Sequence, residues 1–170
     1  MIEIRPIAIS DAEKFAVLQK ELAKETRFMM RELDECTMTG EHVKQMIASV
    51  HQHNNFLFVA EANGEIVGFA SAVKGVHKRI RHLAHIVTGI RTAYQGQGIG
   101  SQFFNELDRW ARDEKLRRLE LTVMTHNQKA KSLYEKKGFI IEGIKKDSMY
   151  VDGEYVDEYY MGKILTPLAT

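Results

Sequence analysis

Three glycines alternate with other residues in the segment Gln95-Gly96-Gln97-Gly98-Ile99-Gly100-Ser101. A helical pattern of apolar residues begins at Ile99, directly behind them, and a short apolar run over residues 83–90 precedes them. This order predicts a strand, a glycine turn and a helix. The first turn of a helix has unpaired N–H groups and a partial positive charge, and glycines let a bulky anion approach the backbone. The segment therefore predicts a turn that binds a diphosphate.

Two better-known phosphate-binding loops do not match this segment. A P-loop requires G-x-x-x-x-G-K-[ST], and no such string occurs in the chain. A dinucleotide-binding turn requires G-x-G-x-x-G, whereas the third glycine here, Gly100, comes one position early. A glycine turn that binds no ligand stays open as the alternative.

Composition and charge limit the class of protein and its partners. A length of 170 residues suits one domain with its own core, which we predict to span residues 1–170. The formal net charge is only +1, so we expect neither nucleic acid nor an acidic membrane surface as a partner. No signal peptide or apolar run of roughly 18 residues is present, so we expect a cytoplasmic protein. Cys36 is the only cysteine, which excludes an intrachain disulfide, and we expect no bound metal.

The periodic patterns predict an α/β (mixed α+β) fold. Apolar runs predict seven strands and helical patterns predict four helices, in the order β-α-α-β-β-β-α-β-α-β-β. Asn63-Gly64 and Asp152-Gly153 predict hairpin turns, whereas the strand–helix–strand middle requires a parallel pair. Ser10 and Glu13 predict a capping box at the first helix. We therefore predict one domain with a mixed, largely antiparallel sheet of about seven strands and helices on both faces.

Two motifs make the chain resemble a known family. The segment Gln95 to Gly100 matches Q/R-x-x-G-x-G/A, and the segment Asn127 to Phe139 matches N-x-x-A-x-x-L-Y-x-x-x-G-F without a gap. At this separation the two motifs resemble those of the GCN5-related N-acetyltransferase (GNAT) superfamily. The predicted element order resembles that of the family over nearly the whole chain, so the resemblance implies a GNAT-like fold and acetyl transfer.

The resemblance also implies acetyl-CoA as the donor and names the residues that would bind it. The pantetheine arm would pair like an extra strand against the end of the fourth strand, which in the family splays from the next strand. Gly89 could form a bulge there that aims an N–H at the thioester oxygen, or could serve close packing. The residues implied for the pantetheine arm are Ile90, Arg91 and Thr92, and those implied for the diphosphate are Gln95, Gly96, Gln97, Gly98, Ile99, Gly100 and Ser101.

Two residues of the helix after the fifth strand match family positions. Tyr134 matches the family tyrosine, a phenol of pKa about 10 that can donate a proton to the departing thiolate. A tyrosine of the core is the alternative. Asn127 matches the asparagine that begins this helix in the family; it can cap the helix, contact the cofactor, or do both.

The general base stays open at the level of sequence. An alkylammonium has a pKa of about 10.4, so the attacking amine must lose a proton. Many relatives have a glutamate five residues before the branched residue matched by Ile90, and this chain has His85 there, which can accept a proton directly or through water. Other relatives use a glutamate where this chain has Thr122, with Glu120 two residues earlier on the same side. His85, Glu120, a water chain and a purely structural His85 are the alternatives.

These patterns predict an acetyl-CoA-dependent N-acetyltransferase in which a primary amine attacks directly. The acceptor would be a small amine or the N-terminus of a peptide or protein. The resemblance implies an acceptor pocket at residues 28–35 and 150–160, whose carboxylates either attract a cationic amine or form a solvated rim. It also implies a homodimer that pairs through the late strands. The alternative from another class is a non-catalytic acyl-CoA-binding module that senses the cofactor or binds a partner.

Overall fold

The computed structural model describes residues 1–166, so residues 167–170 of the predicted domain lie outside the described residues. Within that part, seven strands and four α-helices follow the predicted order, which is confirmed. The strands are β1 (Ile2–Pro6), β2 (Phe56–Ala62), β3 (Glu65–Lys74), β4 (Leu83–Ile90), β5 (Arg118–Met124), β6 (Ile140–Val151) and β7 (Glu154–Ile164). The helices are α1 (Ala12–Glu25), α2 (Gly40–Gln52), α3 (Ile99–Asp113) and α4 (Gln128–Lys136).

The strands form one mixed sheet in the order β1-β2-β3-β4-β5-β7-β6. Antiparallel ladders join β1 to β2, β2 to β3, β5 to β7 and β6 to β7. A parallel ladder joins β4 to β5 through three residue pairs, from Leu83 opposite Arg118 to His85 opposite Glu120. The predicted mixed, largely antiparallel sheet is therefore confirmed.

The described chain packs as two compact units. The first comprises Met1–Ala72 and Val87–Phe103, and the second comprises Val73–Ile86 and the described residues from Phe104 onward. Strands β3 and β4 and helix α3 contribute residues to both units. The single domain expected from the sequence stays a prediction.

The core of the first unit lies where α1 and α2 pack on β2 and β3. Buried apolar residues recur every three or four positions in the helices and every second position in the strands, so each element presents one apolar face. Burial of each large apolar side chain contributes about 1.5–3 kcal/mol. The buried residues of this core include Phe15, Leu18, Leu22, Val43, Ile47, Leu57, Val59, Ile66 and Phe69.

The start of α1 differs from the predicted capping box. A 3₁₀ turn (Ile9–Asp11) comes first, and Asp11 rather than Ser10 occupies the N-cap position. The buried Asp11 carboxylate accepts two hydrogen bonds of 2.8 Å from the Arg5 guanidinium and one of 2.8 Å from the Ala8 N–H. The capping-box prediction is wrong because the ion pair with Arg5, six residues earlier, fixes Asp11 rather than Ser10 at the helix start.

The second unit has its own apolar core. Phe104, Leu107 and Ala111 line one face of α3, and Leu119, Leu121 and Met161 are buried on strands of the same unit. Phe104 also packs edge-on to Phe139, with 5.7 Å between ring centroids.

The predicted turns have the backbone geometry that their residue types favour. Asn63 and Gly64 have φ values of 52° and 78°, and Asp152 and Gly153 have φ values of 50° and 84°. Two consecutive left-handed residues form the hairpin turn expected for these dipeptides, so both predictions are confirmed. Across residues 1–166, no helix combines the length and apolar character needed to cross a membrane.

Candidate active site

The glycine turn between β4 and α3 leaves its backbone open. A 3₁₀ turn (Thr92–Tyr94) follows β4, and α3 begins at the buried Ile99. Gly96 and Gly98 have φ values of +76° and +84°, and a Cβ on either would have no heavy atom within 4 Å. The chain therefore adopts a glycine-favoured conformation in a place where a ligand can approach the first N–H groups of α3.

Two glutamine side chains fold back onto the residues before the turn. Gln95 Nε2 donates to the carbonyl oxygen of Ile90 at 3.2 Å, and Gln97 Nε2 donates to that of Ala93 at 3.3 Å. These bonds brace the turn from its own side chains. The amide of Gln95, predicted to lie beside a diphosphate, here bonds the end of β4.

The end of β4 is bound by residues that the family motifs do not include. The Arg91 N–H donates to the Val67 carbonyl oxygen at 2.9 Å, and the Thr92 N–H donates to Glu25 Oε2 at 2.9 Å. The Arg91 guanidinium donates twice to Glu25 Oε1, at 2.9 and 2.8 Å, and lies 3.5 Å from Glu21 Oε2. One carboxylate at the end of α1 therefore binds both the backbone and the side chain of the predicted pantetheine segment.

Glu25 is charged in this arrangement. Burial acts to raise the pKa of its carboxyl, but the hydrogen bonds from the Thr92 N–H and the Arg91 guanidinium outweigh burial and lower that pKa. Arg91 responds in the opposite direction, because the Glu25 carboxylate raises the pKa of the guanidinium. The sequence gives no signal for this pair, since 66 residues separate the partners.

Gly89 serves close packing within the first unit. A Cβ at this position would lie 2.8 Å from Leu22 Cδ1 and 2.9 Å from Phe69 Cε1. Real Cβ atoms do not approach so closely, and both partners belong to the core described above. Of the two roles expected for Gly89, the structure supports packing.

Tyr134 and Asn127 belong to the second unit. The Tyr134 ring is buried, with its centroid 5.5 Å from that of Phe104 and 6.2 Å from that of Phe139. Asn127 caps α4, because its Oδ1 accepts the Ala130 N–H at 3.3 Å. The capping role expected for Asn127 is therefore present, and Gly138, at a φ of +93°, follows the helix end as predicted.

The two side chains that the sequence offered as alternative bases lie together. His85 on β4 and Glu120 on β5 are register partners in the parallel ladder. His85 Nδ1 lies 4.0 Å from Glu120 Oε1, and the two side chains are 48% and 32% exposed. Glu120 Oε2 also accepts a 3.0 Å hydrogen bond from Arg118 Nε. An imidazole beside a carboxylate can take up a proton and be stabilised as the cation.

The carboxylates of the expected acceptor regions are mostly exposed. Glu32, Asp34 and Glu35 are exposed, as a solvated rim would be. Asp157 accepts hydrogen bonds from the Asp147 N–H at 2.9 Å and from Lys146 Nζ at 3.0 Å, and these lower the pKa of its carboxyl. A cleft of about 630 Å³ lies here, lined by Thr125, His126, Lys146, Asp147, Tyr155, Val156 and Asp157.

Comparisons with known proteins identify related chains. A family model described as "Acetyltransferase (GNAT) family" matches residues 21–139. The L-amino acid N-acetyltransferase AaaT of Escherichia coli (strain K12) is 34% identical over 110 residues, a match that covers 62% of this chain and 66% of that protein's length. The acetyltransferase of GNAT family from Streptococcus pneumoniae has a similar crystal structure, with a TM-score of 0.93 and 32% identity over 98% of this chain and 100% of that one.

A further solved structure is similar in fold. It is yncA from Salmonella typhimurium with its cofactor acetyl-CoA, which has a TM-score of 0.87 and covers 99% of this chain and 96% of that one. At a sequence identity of 17%, this match shows a shared fold alone.

We predict that Glu25→Ala lowers the free energy of unfolding by about 1–2 kcal/mol at neutral pH, because the Thr92 N–H and the Arg91 guanidinium lose their acceptor. The pKa of Glu25 is lowered in the folded chain, so this contribution is present above the ordinary value of 4.5 and is lost as the pH falls through the folded value. Urea titrations should therefore show a difference between variant and wild type that shrinks as the pH is lowered below 4.5.

The matched control is Glu41→Ala, which removes a carboxylate that lies 3.7 Å from Lys44 at the surface. Surface pairs of this kind contribute about 0–1 kcal/mol. Equal losses in the two variants, or a loss in Glu25→Ala that persists undiminished in acid, would contradict the role given to Glu25.

Proposed function

Because this chain belongs to the acetyltransferase (GNAT) family, we propose that it transfers an acetyl group from acetyl-CoA to a primary amine. The observation that carries this proposal is the open glycine turn at the start of α3, which lies within the matched residues 21–139. The named activity of the relative AaaT, an L-amino acid N-acetyltransferase, supports an amine as the acceptor.

The donor fits the residues present at the turn. We propose that the N–H groups of residues 97–101 bind the diphosphate, with Gln95 and Gly96 alongside. The space beside Gly96 and Gly98 and the partial positive charge at the start of α3 both favour a bulky anion. We propose that the pantetheine arm lies along Ile90, Arg91 and Thr92, where Glu25 already holds the backbone of Thr92. Acetyl-CoA supplies the activated acyl group.

The residues of the chain supply the proton transfers. We propose that His85 accepts a proton from the substrate ammonium, directly or through water, with Glu120 stabilising the imidazolium that forms, so that the neutral amine attacks the thioester carbon. As the C–S bond breaks, the Tyr134 hydroxyl gives a proton to the departing thiolate and regains one, directly or through water, from the nitrogen of the tetrahedral intermediate; Asn127 contacts the donor while it caps α4. Direct attack needs no covalent bond to the protein, so no nucleophilic side chain is required.

The acceptor class stays a choice between a small amine and the N-terminus of a peptide or protein. We propose in addition a single domain, a cytoplasmic location and a homodimer formed through the late strands. Ile140 and Ile144 on β6 and Tyr155 on β7 are more than half exposed, which supports the last point, because β6 is an edge of the sheet.

The test of the activity is a panel of amines incubated with acetyl-CoA. The panel contains L-amino acids, polyamines and peptides with a free N-terminus; thiol release and the mass of the product are followed. We expect stoichiometric thiol and acetylated amine with at least one class. Tight binding of acetyl-CoA without turnover on any class would instead support a non-catalytic acyl-CoA sensor.

We predict that Gly98→Asp weakens binding of CoA by about 100-fold or more, because it places bulk and negative charge at the diphosphate site. Isothermal titration calorimetry measures this change. The control is Gly153→Asp in the β6–β7 turn, because Gly153 has the same φ of +84° and the same open space, so it meets the same backbone cost. Retained affinity in Gly98→Asp, or an equal loss in both variants, argues against the placement of the diphosphate.

We predict that Tyr134→Phe lowers kcat by about 100-fold and leaves the affinity for acetyl-CoA nearly unchanged. The substitution removes the proton donor and keeps the ring contacts with Phe104 and Phe139. Steady-state kinetics and calorimetry separate the two effects, and thermal unfolding reports whether the ring packing survives. An unchanged kcat would remove Tyr134 from the catalytic role.

A further inference from the structure

A row of alternating charges is formed by side chains from three strands of the second unit, β4, β5 and β6, and ends at His85. His85 on β4 faces Glu120 on β5, and Glu120 Oε2 accepts from Arg118 Nε at 3.0 Å. The same guanidinium donates to both oxygens of Glu142 on β6, at 2.9 and 2.5 Å. The order of charges along the row is therefore imidazole, carboxylate, guanidinium, carboxylate.

The backbone of β6 is irregular at the residue that ends this row. Ile141 pairs with Met161 and Gly143 pairs with Tyr160, so Glu142 is an extra residue in β6. A β-bulge of this kind redirects a side chain relative to a regular ladder. The redirected Glu142 side chain meets Arg118, although β7 lies between β5 and β6 in the sheet.

Gly162 on β7 leaves the space through which this ion pair passes. A Cβ on Gly162 would lie 2.7 Å from the Arg118 terminal nitrogen Nη1 and 2.7 Å from Glu142 Oε1. Both distances are shorter than real Cβ atoms show, so a side chain at this position would force the ends of the Arg118 and Glu142 side chains to shift. Gly162 is also the register partner of Glu120 on β5. The bulge in β6 and the absence of a side chain at Gly162 thus together allow Arg118 and Glu142 to form an ion pair across β7.

We propose that Arg118, held by Glu142, is a positioning residue that fixes Glu120 beside the His85 imidazole. This proposal rests on the proposed role of His85 as the base. A guanidinium suits the task because its planar fork can bind two carboxylates at once with defined geometry, which an ammonium cannot do. The Glu142 carboxylate raises the pKa of Arg118, and the guanidinium in turn lowers the pKa of Glu142, so both stay charged.

The row also determines which charged groups lie near the His85 ring. Glu120 favours a proton on His85, and Arg118, which shares that carboxylate, opposes it. The described ion pairs bring Glu120, Arg118 and Glu142 to this face, and the last two neutralise one another in part.

NMR titration of the His85 ring tests the coupling without any substrate. The His85 signal is assigned by its disappearance in His85→Gln. We expect the midpoint of its titration to fall by about 0.5 pH unit in Glu120→Gln and to rise by a similar amount in Arg118→Gln. Arg109→Gln is the control, because it removes an equal charge from an exposed pair with Glu106 on α3. Midpoints in Glu120→Gln and Arg118→Gln that match the control overturn the proposal.

A second pair of variants tests the fixation of Arg118 with no change of charge. Gly162→Ala should shift the ends of the Arg118 and Glu142 side chains, so we expect the Arg118 Nε–H, which donates to Glu120, to exchange with water faster than in the wild type. Gly143→Ala should leave this exchange rate unchanged, because a Cβ there comes no closer than 3.9 Å to Tyr160. An Arg118 Nε–H that exchanges in Gly162→Ala at the wild-type rate, or that is unprotected in the wild type, overturns the proposal. If Gly162→Ala does not fold, the titration of the charge variants decides.

Kinetics then separate positioning from charge. Arg118→Lys keeps the charge and loses the fork, so we expect kcat to fall about 10-fold on the most active amine of the panel, with KM for acetyl-CoA unchanged. An unchanged kcat overturns the positioning role. If His85→Gln retains full turnover while the NMR shifts appear, the charge row stands and the base assignment of the proposed function fails.

Discussion

The end of strand β4 is the constraint on which the glycine turn depends. Gly96 and Gly98 have no Cβ and no close neighbours at that side, so the turn itself supplies little packing. Its conformation is set by what is fixed on either side. Upstream, the Val67 carbonyl binds the Arg91 N–H and the Glu25 carboxylate binds the Thr92 N–H. Downstream, the buried Ile99 anchors the first turn of α3. The backbone of the glycine turn can therefore stay open, because the residues on both sides of it are fixed.

The features that the sequence predicts correctly are those determined by neighbouring residues. The two hairpin dipeptides, the cap formed by Asn127 and the glycine that follows α4 act within four residues of one another. The order of strands and helices along the chain follows from periodicity, and the glycine turn follows from a motif that is contiguous in the chain. The capping box at Ser10 fails for the complementary reason. Its neighbour Asp11 is bound by Arg5 on β1, and periodicity contains no information about that pair.

The residues that the sequence does not identify act over long separations and through irregular backbone. Glu25 meets Arg91 across 66 positions, and the contact depends on where α1 ends relative to β4 within the first unit. Glu142 reaches Arg118 only because a bulge shifts the register of β6 and because Gly162 has no side chain. A one-residue bulge reverses the face of the sheet on which the following side chains lie, and the pattern of the surrounding residues does not predict it.

The register of β4 and β5 relates the two residues that the sequence offers as the base. From the sequence alone His85 and Glu120 are alternative bases, because His85 occupies one position where relatives have a glutamate and Glu120 lies two residues before another. The parallel ladder makes them register partners, with His85 Nδ1 4.0 Å from Glu120 Oε1, so the proposed base is His85 with Glu120 beside it rather than one residue or the other. Since the carboxylate is itself bound by Arg118, its charge is shared rather than fully available to the imidazole.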